Sequence, residues 1–179
     1  MAQSIVRKQA EDEHYRFDCV NVNIGIIGVT RRVGTTTVAL GLVNFIKNHG
    51  GTACYVALNL NHHLESIANA YNFIVSDFGD IKREAVKRYK ESDVHLLCGA
   101  SHKMHEIADF AEGLKSVKSV SPQLLTYMPN PDYAQLFSTT VTREPTIIKP
   151  VENMLDFKTN GLVFKEIVEK YIVETSKRL

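Results

Sequence analysis

The chain has 179 residues, 44% apolar and 23% charged, an ordinary balance for one folded domain with its own core. Lysine and arginine total 21 against 20 acids, which excludes a global charge bias toward nucleic acid or anionic lipid and leaves only a local basic patch open. No apolar run is long enough to span a bilayer, and the polar, mixed-charge start from Met1 to Asp18 does not read as a secretory signal. Cys19, Cys54 and Cys98 are therefore expected as free thiols in a reducing cytoplasm.

Residues 1–20 read as an extension or irregular lead-in, and residues 21–179 as a single domain. Val22 to Gly28 is an apolar strand. Thr35 to Asn48 is predicted helical, with Val38, Ala39, Leu42, Val43 and Ile46 at helical spacing, and His49-Gly50-Gly51 ends it. Ala53 to Leu58 is a second strand, Leu64 to Tyr71 a short helix, and Asn72 to Asp77 a third strand. A charged helix from Ile81 to Lys90 precedes a fourth strand, Val94 to Cys98. Met104 to Leu114 is predicted helical, with Ile107, Ala108, Ala111 and Leu114 on one face. Leu124 to Met128 is a fifth strand, Asp132 to Ser138 a short helix, and Thr146 to Ile148 a short edge strand. Lys149 to Asn160 is the longest irregular stretch. Gly161 to Thr175 reads as a final helix. Short apolar strands alternating with helices predict a three-layer α/β/α sandwich around a mainly parallel, doubly wound sheet.

The chemistry concentrates between the first strand and the first helix. Thr30-Arg31-Arg32-Val33-Gly34-Thr35-Thr36-Thr37 places a glycine and three hydroxyls where an apolar strand turns into a helix. Backbone N–H groups at such a helix start converge on anionic oxygens, and a Ser/Thr hydroxyl there is a magnesium ligand. The standard G-x-x-x-x-G-K-[ST] pattern fails at Val29, in place of the first glycine, and at Thr35, in place of the lysine. A dinucleotide fingerprint fits worse, since Gly25, Gly28 and Gly34 do not give G-x-G-x-x-G.

The layout resembles the deviant phosphate loop of the MinD/ParA-type ATPases, which reads K-G-G-V-G-K-T-T. On that motif Thr30 takes the signature lysine's place, Arg31 and Arg32 the two glycines, and Thr35 the second lysine. Val33, Gly34, Thr36 and Thr37 match. The resemblance implies a P-loop fold, ATP and Mg²⁺ as cofactors, and a nucleotide site formed by Arg31, Arg32, Val33, Gly34, Thr35, Thr36 and Thr37. It makes Thr36 and Asp77, at the end of the third strand, the Mg²⁺ ligands. Asn59 and Asn61 stand where the family carries an acidic pair, and Arg31 and Arg32 are the cations left to replace the lysines. The short spacing between Asn61 and Asp77 is similar to abbreviated, lysine-poor relatives of the TadZ/CpaE pilus-assembly kind. A homodimer and a protein partner of unknown identity are implied by resemblance alone.

The expected function is an atypical nucleotide-binding regulatory or localisation factor with weak or absent hydrolysis. Two alternatives stand beside it: an interaction module that kept the fold and lost the nucleotide, and a DNA-partition ATPase homologue, for which salt-sensitive DNA binding is the discriminating property. Other clusters read as structural. His95 and Cys98, three apart on a strand, face opposite sides, and with His102 and His105 make no closed metal set. The pair His62-His63, after the Asn-rich loop and near the phosphates, is expected as a solvated loop pair, with a switch-loop role as the alternative. Lys82, Arg83, Lys87, Arg88 and Lys90 are expected on an exposed helix with Glu84 and Glu91 interleaved. The apolar stripe of the last helix is expected to pack on the sheet and not on a membrane.

Overall fold

The computed structural model describes residues 13–57 and 70–177. In chain order the elements are β1 (Glu13–Phe17), β2 (Val22–Gly28), α1 (Thr35–Asn48), β3 (Ala53–Ala57), β4 (Phe73–Asp80), α2 (Arg83–Tyr89), β5 (Val94–Ala100), α3 (Met104–Ser116), β6 (Gln123–Tyr127), α4 (Ala134–Val141), β7 (Thr146–Ile148), α5 (Gly161–Val168) and β8 (Ile172–Lys177). Single 3-10 turns occupy Pro131–Tyr133 and Glu169–Tyr171.

Six strands form the central sheet in the order β3-β4-β2-β5-β6-β7, and every neighbouring pair is parallel. Successive strand residues point to opposite faces, so each strand feeds two separate cores. Ile26, Leu96 and Leu125 join Val38, Leu42 and Phe45 of α1 and Phe164 and Ile167 of α5. Their neighbours Ile27, Leu97 and Leu124 join Tyr89 of α2, Ile107 and Phe110 of α3, and Phe137 of α4. The three-layer α/β/α expectation holds on this arrangement.

The winding also sets where a ligand would sit. The chain leaves β2 toward one edge through α1 and leaves β5 toward the other through α3, while β2 and β5 are neighbours. Their carboxyl ends therefore open onto a crevice where the winding direction reverses, the place where open α/β sheets bind ligands.

The helix over Thr35–Asn48 and the edge strand over Thr146–Ile148 coincide with the sequence reading. β4 runs on to Asp80, and the expected helix near Asp132 divides into a 3-10 turn and α4. Most of the expected Leu64–Tyr71 helix lies outside the described residues.

Two expectations are corrected. Glu13–Phe17 is a strand within the supposed lead-in, and the last helix stops at Val168. Ile172–Lys177 instead pairs antiparallel with β1 in a separate two-stranded sheet. The reason is packing. Tyr15 is buried, stacks on His49 at 5.1 Å between ring centres and donates its backbone N–H to the His49 carbonyl. That docks β1 on the end of α1, leaving its other edge to be paired. Ile172, Val173 and Thr175 are β-branched, which suits a strand better than a helix. Lys165 and Glu13 close the dock with an ion pair of 2.6 Å.

Candidate functional site

β2 delivers the chain to the crevice at Gly28, and residues 29–34 turn it into α1. Gly34 adopts φ 80°, in the left-handed region, and a Cβ there would fall 2.7 Å from the Tyr127 ring. Backbone conformation and contact both demand glycine at this position. The Val38 N–H closes the first helical turn on the Gly34 carbonyl at 2.9 Å. No side chain caps the start of α1, and no acid stands in its first turn. The positive end of the helix thus faces the crevice with no side chain of its own first turn capping or neutralising it.

Opposite this helix start lies the one buried carboxylate of the crevice among the described residues. Asp77 is 6% exposed and sits on β4 in register with Ile26 of β2. Thr36 donates from Oγ1 to Asp77 Oδ2 at 2.6 Å. The Tyr55 hydroxyl reaches the same oxygen at 3.2 Å, and the Gly79 N–H donates to Oδ1 at 3.0 Å. Three donors thus meet the two oxygens of this buried carboxylate. Burial pushes the Tyr55 phenol up, and the neighbouring Asp77 charge adds to it, so Tyr55 stays protonated and donates.

The arginines do not gather at the helix start. Arg31 turns to Asp80, with Nε 3.4 Å from Oδ2, while Lys82 Nζ lies 3.2 Å from the other oxygen. Burial pushes the Asp80 carboxyl up, but hydrogen bonds from Lys82 and Arg31 outweigh it and hold it below the usual carboxylate range. Arg32 is exposed and takes φ 61°. Val33 packs against the α1-side core, and Thr35 and Thr37 are half-buried. Of the residues singled out in the sequence, the structure therefore brings together Gly34, Thr36 and Asp77, with Thr35 and Thr37 in the same helical turn. Asn59 and Asn61 lie outside the described residues, as do His62 and His63.

Three residues here escaped the sequence reading: Tyr55, Asp80 and Tyr127. Asp80 and Tyr127 are the last residues of their parallel strands, the end at which ligand residues collect, and Tyr55 is the middle residue of β3. That position was the available signal for Asp80 and Tyr127; Tyr55 carried none.

His95 and Cys98 face opposite sides of the sheet, as their spacing on one strand predicts. Cys98 is buried on the α1 side of the sheet, whereas His95 meets Tyr89 edge-on in the other layer, at 5.1 Å between ring centres. Glu106 accepts the backbone N–H groups of His102 and Lys103 at 2.8 Å each and so is occupied with starting α3. Among the described residues no group of three His, Cys, Asp or Glu side chains is placed to hold a metal. All three cysteines are free, and no described helix is long and apolar enough to cross a membrane. The chain matches no protein-family model, and comparison with curated proteins found no match.

Proposed function

We propose that this chain is a MinD/ParA-like P-loop protein that binds ATP with magnesium over residues 29–37 and hydrolyses it slowly or not at all. The observation that carries this reading is the 2.6 Å hydrogen bond from Thr36 to buried Asp77, directly beside an uncapped helix start. A hydroxyl and a carboxylate are hard oxygen donors. Magnesium is typically held by one or two such groups, with waters and substrate phosphates completing the shell. Thr36 and Asp77 thus fit the ion, and the first-turn amides of α1 fit the phosphates. Magnesium there would neutralise phosphate charge.

The cations argue against fast turnover. Phosphoryl transfer depends on positioned positive charge around the terminal phosphate, and removing one such donor typically lowers the rate by about a hundredfold or more. Thr30 and Thr35 carry none, and Arg31 is engaged by Asp80. A binding protein that changes state slowly suits a dimeric regulatory or localisation factor in the cytoplasm. Arg31's engagement also favours a second reading, an interaction module that kept the fold and lost its nucleotide.

Calorimetric titration of the full chain with ATP, with and without Mg²⁺, separates the two. The expected result is Mg²⁺-dependent binding that Asp77→Asn abolishes, with no turnover beyond background. No heat at millimolar ATP would leave the interaction module. Turnover at about 1 s⁻¹ or faster, lost in Asp77→Ala, would overturn the slow-hydrolysis half.

A further inference from the structure

Helix α2 and the residue on either side of it hold charge that the chain as a whole does not. Lys82, Arg83, Lys87, Arg88 and Lys90 stand there against one acid, Glu84, while the whole chain nets +1. An open cleft of about 730 Å³ runs along this helix and reaches Ser116 at the end of α3. Lys82, Arg83, Lys87 and Lys90 line it, with Glu84 as the one acidic lining residue. Lys82 is shared with Asp80, but among the described residues Arg83, Lys87 and Lys90 have no ion pair.

The spacing has a consequence. Positions 83, 87 and 90 are separated by four and three residues, so they lie on one helical face over about 10 Å. Like charges at that spacing repel and destabilise a helix, and a bound anion would remove the repulsion. None of the lining residues is aromatic, so the cleft offers no stacking platform for unpaired bases. Four cations within nine residues match a compact cluster of negative charge better than a long one.

We propose that the cleft between α2 and the end of α3 is a second anion site, taking the di- or polyphosphate group of a small ligand. It is built on the α2–α3 layer, across the sheet from α1, and stands whether or not nucleotide binds at residues 29–37. Arg83 and Lys87 grip the anion from the exposed helix face, with Lys90 and Lys82 at either end. Being solvent-exposed and multiply charged, the contact weakens as salt rises.

The test is a pyrophosphate titration of the full ¹⁵N-labelled chain, with sodium chloride at matched ionic strength as the control. Saturable amide shifts are expected at residues 82–90 and around Ser116. They should weaken at least roughly tenfold in Arg83→Gln/Lys87→Gln, whose surface positions leave the fold intact, and persist in Thr36→Ala. Shifts confined to residues 29–37, equal shifts with chloride, or unchanged affinity in the double variant would overturn the site. Duplex DNA binding the same residues more tightly than pyrophosphate would overturn the compact-ligand assignment. Failure of the nucleotide reading shows separately, as no ATP shifts at residues 29–37.

Discussion

Thr36 donates its hydroxyl proton to Asp77 across the gap between α1 and the end of β4, at 2.6 Å. Thr36 is an exposed residue and Asp77 a buried one, and the acid is also held by the Tyr55 hydroxyl and the Gly79 N–H. Tyr55→Phe removes one of these donors and nothing else. It is expected to lower stability by about 1 kcal/mol, the usual net worth of one such bond. Urea denaturation of the two proteins measures it.

The ring of Tyr127 closes over Gly34. Gly34→Ala meets two penalties, left-handed backbone at φ 80° and a contact of 2.7 Å to the ring. A loss of about 2–3 kcal/mol is expected, of which the backbone part is about 1 kcal/mol. In a Tyr127→Ala background only the backbone part should remain. A double-mutant cycle by chemical denaturation reads the difference, and equal losses in both backgrounds would show that the ring yields.

Glu13 ties the terminal strand pair to α5. It accepts from Lys165 at 2.6 Å and from the Tyr15 hydroxyl at 2.7 Å. Burial pushes its carboxyl up, yet these hydrogen bonds outweigh that and hold it below its ordinary 4.5. A carboxylate with a depressed folded value stabilises the fold fully above its unfolded value and loses that contribution as pH falls through the folded one. Glu13→Gln should therefore lower stability by about 1 kcal/mol near neutrality. The gap should close below pH 4.5. Calorimetric melting of both proteins at neutral and acid pH checks the sign.

Asp80 holds Arg31 away from the start of α1. One carboxylate holds both Arg31 and Lys82, so Asp80→Asn releases the loop's Arg31 from its ion pair. On the nucleotide reading, ATP affinity should rise a few-fold in Asp80→Asn and fall back in Arg31→Ala/Asp80→Asn. Unchanged affinity in the single variant would mean that Arg31 does not reach the phosphates. Titration calorimetry measures all three proteins.

The alternation of strands and helices was legible because it rests on local periodicity. α1 begins and ends where its apolar spacing and following glycines place it, and β2, β4, β5 and β6 appear as short apolar runs because both their faces are buried. Gly34 and the hydroxyls after it were legible as a turn opening a helix, whereas Asp77 was singled out only by the resemblance to the MinD/ParA loop. The terminal segments show where such reasoning stops. Tyr171 and Ile172 sit at helical spacing after Ile167 and Val168, yet Ile172 enters a strand. What decides is a partner strand more than 150 residues earlier, from Glu13 to Phe17, held by Tyr15 on His49.

Composition and periodicity by themselves determined a layered α/β chain with a candidate anion-binding turn after its first core strand. Only the tertiary structure decided which side chains complete that turn. Tyr55, Asp80 and Tyr127 reach it from three other strands, and Arg31 is drawn away from the helix start by Asp80. The physical reason is range. Backbone propensity and burial pattern act over a few residues, whereas hydrogen bonds, ion pairs and ring contacts form between strand ends that only sheet order makes neighbours.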